Sequence, residues 1–107
     1  MVELGSTLKT AHDLLTGDRA AQYGNPRPNY VLAAKLASLL TDLDIGERDI
    51  YLIMVAVKLA RESQMHTTDN LVDAVAYIDM LSYAIEQDTL GEQEPTRGRM
   101  INDAPEM

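Results

Sequence analysis

The chain has 107 residues, a formal net charge of −8 and no cysteine. This length suits one small domain, and without cysteine the chain forms neither disulfides nor thiolate metal sites. A broad surface for nucleic acid or for an anionic membrane needs clustered Lys and Arg, so the acidic balance argues against both partners. The N-terminus lacks a basic region followed by an apolar core, and the apolar run from Ile50 to Ala60 is too short to cross a bilayer. We therefore expect a cytoplasmic protein that binds neither nucleic acid nor membrane.

Apolar residues recur at helical spacing along most of the chain, and no segment alternates as a strand would. This pattern predicts an all-α fold, an antiparallel bundle of four main helices. The expected helices run from about Ser6 to Gly17, Pro26 to Leu43, Glu47 to Glu62 and Thr67 to Gln87. Ser6 or Thr7 is the expected cap of the first helix, and Thr67 or Thr68 that of the fourth. The polar composition that follows predicts a single helical domain over residues 1–87 and a flexible tail over residues 88–107.

Two cations and two acids lie near the turn between the third and fourth helices. Lys58 and Arg61 are three residues apart and share one helix face. Asp69 and Asp73 are four residues apart, and Tyr77 follows one turn later on the same face. One interpretation is a set of structural ion pairs that holds the register of an antiparallel hairpin. The other is a polar pocket in which the two cations hold phosphate oxygens and either Asp binds Mg²⁺ or an amide.

The loop before the second helix is rich in side chains that donate and accept hydrogen bonds. Turn chemistry alone would have Tyr23 pack over the turn and an Asn cap the second helix. The functional alternative is a loop that faces a ligand, with Arg19 binding a phosphate, Tyr23 stacking on a base and Asn29 binding a base edge. Both interpretations stay open at this point.

Three blocks of these residues resemble a family of small phage and prophage proteins of unknown function. In chain order the blocks are Asp18-Arg19-x-x-x-Tyr23-Gly24-x-Pro26-x-x-Asn29, Met54-Val-x-x-Lys58-x-x-Arg61 and Asp69-x-x-x-Asp73-x-x-x-Tyr77. They cover the chain from about residue 8 to residue 84. The family pattern often has an aromatic residue, commonly Trp, within the second helix, and this chain has none there beyond Tyr30 at its start.

A more distant resemblance is to the all-α nucleotide pyrophosphohydrolases of the MazG type and to nucleotide-modification-associated helical domains of phages. The run from Leu71 to Asp79 is similar to the second acidic helix of the MazG type, in which an Asp helps to bind Mg²⁺. The first MazG-type motif, two adjacent Glu followed by a third one turn later, is missing. The third helix has Tyr51-Leu-Ile-Met-Val in that place. Because a Mg²⁺-triphosphate site would then have too few oxygen ligands, hydrolysis by that mechanism is not expected.

These observations lead to three hypotheses about function. The first is a phage-type protein that binds a nucleotide or nucleotide-derived ligand, in nucleotide metabolism or in sequestering a host signal, inside the host cell cytoplasm. The second is an acidic helical interaction module that acts on a host protein. The third is a degenerate MazG-type, Mg²⁺-dependent nucleotide pyrophosphohydrolase. Because the third helix is apolar on nearly all sides, we also expect the chain to assemble as a homo-oligomer.

Overall fold

The computed structural model describes residues 3–17 and 24–91, with side chains up to residue 89. Within these ranges the chain forms helices and no strand, which confirms the all-α prediction. The helices are α1 (Ser6–Thr16), α2 (Arg27–Thr41), α3 (Glu47–Gln64) and α4 (Thr68–Gly91). Arg19 and Tyr23, both predicted to contact a ligand, lie outside the described residues, as does the predicted tail beyond residue 91. The first four residues assigned to that tail, 88–91, continue α4.

Short polar contacts define where the helices begin. The Thr67 hydroxyl accepts a hydrogen bond from the Asn70 backbone N–H at 3.2 Å, so Thr67 caps α4 as predicted. The residue that caps α2 is Pro26, whose side chain cannot accept a hydrogen bond, and the Asn25 side-chain oxygen before it accepts from the Arg27 backbone N–H at 2.9 Å. At α1 the predicted cap is wrong, because the helix already includes Ser6. It follows Gly5, whose φ of 94° needs a residue without a Cβ, and no side chain caps it.

Helices α3 and α4 form an antiparallel hairpin. Three contacts show that the two helices run in opposite directions, because residues earlier in α3 contact residues later in α4. Near the turn, the Asn70 amide donates to Glu62 at 3.3 Å. Further from the turn, Lys58 pairs with Asp73 at 2.9 Å, and Arg48 pairs with Asp88 at 3.3 Å.

The other two helices pack on this hairpin from different directions. Ala11 of α1 lies in an apolar cluster with Val72 and Ala76 of α4. Tyr30 of α2 contacts Tyr51 of α3, with 5.4 Å between the ring centroids. The starts of α2 and α3 and the middle of α4 therefore come together, and α1 lies beside them on α4.

The buried core of the described residues is small. Its apolar members are mostly alanines: Ala11, Ala34, Tyr51, Val72, Ala74, Ala76 and Ala84. Tyr51 is the one large side chain among them that is fully buried. Four apolar residues of α3 stay between 41% and 48% exposed, namely Leu52, Ile53, Val57 and Leu59. The described residues of one chain therefore do not bury α3 on two sides, and its burial between subunits stays a prediction.

No described helix combines the length and apolar character needed to span a membrane.

Candidate functional site

Three tyrosines, one from each of α2, α3 and α4, form a cluster where these helices meet. Tyr30 lies between the others, tilted against Tyr51 and edge-on to Tyr77, with 5.7 Å between the ring centroids of the second pair. The hydroxyls of Tyr30 and Tyr77 share a hydrogen bond of 3.1 Å. Burial, helped by this hydrogen bond, raises the pKa of Tyr30 to about 12, so the phenol stays protonated at neutral pH.

Tyr51 continues the cluster towards the start of α3. Its hydroxyl donates to Glu47 Oε2 at 2.6 Å, and its side chain has no exposed surface. Burial raises the pKa of Tyr51, and the adjacent Glu47 carboxylate adds to the effect because it disfavours a second negative charge. The tyrosine cluster therefore brings hydroxyls and ring faces together where α2, α3 and α4 meet.

Of the four charges predicted to meet at the hairpin, one ion pair forms. Lys58 Nζ lies 2.9 Å from Asp73 Oδ2, and the two side chains are 17% and 32% exposed. Arg61 and Asp69 are exposed, and neither makes an ion pair with another described residue. The structural interpretation therefore holds for Lys58 and Asp73, while Arg61 and Asp69 lie on the surface.

A cleft of about 630 Å³ opens beside the tyrosine cluster, between α1, the start of α2 and the middle of α4. This volume is within the range of small-molecule sites. Its apolar wall consists of Leu14, Leu15, Pro26, Ala76 and Met80. The side chains that offer hydrogen bonds are Asn25, Asn29, Tyr30, Asp73 and Tyr77. Three predicted site residues, Asn29, Asp73 and Tyr77, thus line one cleft. Lys58 pairs with Asp73 but is not part of the described lining.

A second charged network, which the sequence reasoning did not assign, lies at the rim of this region. Arg27 donates to both carboxylate oxygens of Glu47, at 2.7 and 3.1 Å, and to Asp88 at 2.9 Å. Arg48 also donates to Asp88, at 3.3 Å. The hydrogen bond to Glu47 raises the pKa of Arg27, so the guanidinium stays charged. Burial by itself would raise the pKa of Asp88, but the hydrogen bonds from the two arginines outweigh burial and hold it below its usual value.

One signal in the sequence could have identified this network. Arg27 is the first residue of α2, where the helix dipole disfavours a positive charge. A cation in that position needs carboxylate partners nearby. Its partners are 20 and 61 residues away in the chain, so spacing alone could not have named them.

The described residues contain no group of three His, Asp or Glu side chains placed to hold a metal ion. Asp73 is the one carboxylate in the described lining of the cleft, and it is already paired with Lys58. Asp69 is exposed and does not line the cleft. Mg²⁺ binding by Asp69 and Asp73 together therefore finds no supporting geometry in the described part of the chain, and the cleft is suited to hydrogen bonding and ring packing.

Comparison with known proteins finds a matching family and a phage relative. Over 101 residues the chain is 29% identical to the "Gene 55 protein" of Mycobacterium phage D29. This alignment covers 94% of the chain but only 66% of the phage protein, so the chain spans just under two thirds of that relative. No solved structure matches the chain. The family described as a domain of unknown function (DUF6378) matches residues 6–84, which include α1, α2, α3 and most of α4. The chain therefore belongs to this family of unknown function, and it is similar to a phage protein, which agrees with the expected resemblance to phage proteins of unknown function.

Proposed function

We propose that this protein binds a nucleotide-derived small molecule in the cleft between α1, α2 and α4, mainly through the base and sugar of the ligand. The observation that carries the proposal is the convergence of Asn29, Asp73 and Tyr77 on one cleft of about 630 Å³. Asn29 comes from a different helix than Asp73 and Tyr77, and all three lie beside an apolar wall in a cleft of the size that small-molecule sites have.

The polar groups of the cleft match the edges of a nucleoside. An Asn amide presents one acceptor and two donors, which suits the adjacent donors and acceptors of a base. The Asn29 side chain is exposed and makes no hydrogen bond to another described residue, so it is available to a ligand. The Asp73 carboxylate has lone pairs beyond the one used by Lys58 and can accept from a sugar hydroxyl. Pro26 and Met80 provide apolar surface against which a flat ring can pack.

Phosphate groups have a smaller part in this proposal than the sequence suggested. The described lining of the cleft contains no Lys or Arg. Lys58 is neutralised by Asp73, and Arg61 points to solvent. A cation for phosphate would have to come from outside the described lining, and Arg19, which the sequence suggested for this role, lies outside the described residues. We therefore expect affinity to depend on the base and sugar more than on the number of phosphates.

Thermal unfolding against a ligand panel tests the proposal. The panel consists of nucleosides, nucleotides, cyclic nucleotides and cyclic dinucleotides, each with and without Mg²⁺. A ligand present at about 100 times its Kd stabilises the folded state by about 2.7 kcal/mol. In a domain of this size such a gain raises the Tm by several degrees. Compounds that share a base and sugar but differ in phosphate number should give similar shifts.

Two matched variants show whether the cleft is responsible. Asn29→Ala removes an amide from the lining and breaks no described side-chain hydrogen bond, so it should unfold like the wild type yet lose the ligand shift. Gln64→Ala removes an amide from an exposed position of α3 outside the cleft and should keep the shift. No shift with any compound, or an unchanged shift in Asn29→Ala, would refute the proposal and turn attention to a host protein as the partner.

A further inference from the structure

Helix α2 carries small residues on its inner face and large apolar residues on its outer face. Ala34 is buried, and Ala33 and Ala37 are half-buried beside it. The five leucines on the opposite side are 50% to 85% exposed, and together we call them the leucine stripe: Leu32, Leu36, Leu39, Leu40 and Leu43. In a chain that folds alone, the larger apolar residues of a helix normally face the core. The reversed arrangement indicates that another apolar surface covers the stripe.

The spacing of the stripe is that of a helix packed against another helix. Leu32, Leu36, Leu39 and Leu43 are separated by four, three and four residues, the repeat found where two helices interlock along an apolar seam. The first three lie within α2, which ends at Thr41. Leu43 follows Asp42, whose φ of 61° ends the helical periodicity, so the repeat rests on Leu32, Leu36 and Leu39. Lys35, at the edge of the stripe, is the one charged side chain between Leu32 and Leu40.

The exposed area is close to what a stable dimer buries. The leucine stripe exposes on the order of 500 Å², near the upper end of the largest apolar patch on a typical monomer. Four apolar residues of α3 are also partly exposed, namely Leu52, Ile53, Val57 and Leu59, but they are not counted in this area. A standard interface buries about 800 Å² on each partner. The small alanine core of the single chain likewise leaves this large apolar surface to be buried by association.

The net charge of the chain favours an uncharged surface as the contact between two copies. Two copies that each carry a net charge of −8 repel one another unless they meet through an uncharged surface. The leucine stripe is such a surface, and a helix with a regular apolar seam is complementary to a second copy of itself. From these observations we infer that the protein is a homodimer in which α2 packs against α2 of a second copy around a two-fold axis. The dimer does not depend on ligand binding in the cleft.

The mass of the full chain in solution gives the first test. Light scattering and sedimentation at micromolar concentration should show twice the mass of the chain. Leu36→Lys places a charge in the centre of the stripe and should reduce the mass to that of the monomer. Leu8→Lys changes a leucine of α1 that is 63% exposed and outside the stripe, and it should leave the dimer intact. Circular dichroism of both variants shows whether they remain helical.

A second measurement locates the interface without relying on a disruptive variant. Because the chain has no cysteine, Lys35→Cys provides a single labelling site at the edge of the stripe. Packed helix axes are about 8–10 Å apart, so two spin labels near the middle of paired α2 helices should show a strong mutual dipolar coupling. The coupling should disappear when Leu36→Lys is added. A monomeric wild-type chain, a dimer that survives in a folded Leu36→Lys variant, or a dimer without this coupling would each overturn the inference.

Discussion

The Arg27 network allows a sharp test of how this small fold is held together. The variant Arg27→Met keeps most of the side-chain volume but removes three hydrogen bonds, two to Glu47 and one to Asp88. Glu47 would keep its bond from the Tyr51 hydroxyl, yet its side chain is only 12% exposed and water could not replace the lost donors. Breaking a buried ion pair costs about 3–5 kcal/mol. Because the Arg27 side chain is 23% exposed, we expect the lower end of that range, about 3 kcal/mol.

Urea unfolding followed by circular dichroism measures this loss, at one protein concentration so that any association is constant. A domain of this size is stable by about 5–15 kcal/mol in total, so the change should be large. Lys9→Met is the matched control, because it also replaces a cation by Met. It removes an ion pair to Asp13 in which the side chains are 77% and 57% exposed. Exposed pairs of this kind contribute little to stability, so Lys9→Met should change the unfolding midpoint only slightly. If Arg27→Met costs no more than Lys9→Met, the network does not hold α2 and α4 to α3.

Three further predictions concern single polar groups. The lowered pKa of Asp88 means that its ion pairs stabilise the fold above the pKa of a free Asp, and that this contribution disappears as the pH falls through the lower folded pKa. Asp88→Asn should therefore lose stability less steeply than the wild type between about pH 5 and pH 2, and an equal slope would contradict this. The pKa of Tyr30, raised to about 12, predicts the opposite pH dependence: its contribution to stability is fully present below the pKa of a free Tyr and is lost as the pH rises towards 12. Ultraviolet titration of the phenols should lack one late-titrating group in Tyr30→Phe, and an unchanged titration would argue against this prediction. Asn70 is 6% exposed, and its side chain donates to the Met65 carbonyl and to Glu62, each at 3.3 Å. Asn70→Ala should therefore lower the free energy of unfolding by about 1–3 kcal/mol in the same urea assay, and a neutral effect would show that water replaces the amide.

Local patterns were sufficient to predict the helices and most of their ends. The breaks at Pro26 and Gly46 depend on the conformational limits of the residues themselves, and the Thr67 cap depends on a hydroxyl three residues before an N–H. Such effects act within a few residues and are therefore visible in a linear sequence. The cap of α1 was predicted incorrectly, because Gly5 allows the chain to enter the helix without a side-chain partner.

The candidate site could be predicted only in part. The spacing correctly predicted that Lys58 lies near Asp73. The short turn makes α3 and α4 antiparallel, so these two positions lie opposite each other. The spacing did not predict that Lys58 forms an ion pair while Arg61 stays exposed. Three residues turn a helix by about 300°, so the two cations differ by about 60° in direction. Which of the two side chains faces an acid of α4 and which faces solvent depends on how α3 is rotated about its axis against α4.

The sequence by itself therefore determined the helices, the antiparallel hairpin and the apolar character of α2 and α3. Only the tertiary structure decided that Arg27 meets Asp88 across 61 residues, that Asn29, Asp73 and Tyr77 share a cleft, and that the leucines of α2 face outward. The physical reason is that spacing defines the face on which a side chain lies within its own helix. The direction in which that face turns is set by packing between helices, which depends on the volumes and contacts of residues far apart in the chain.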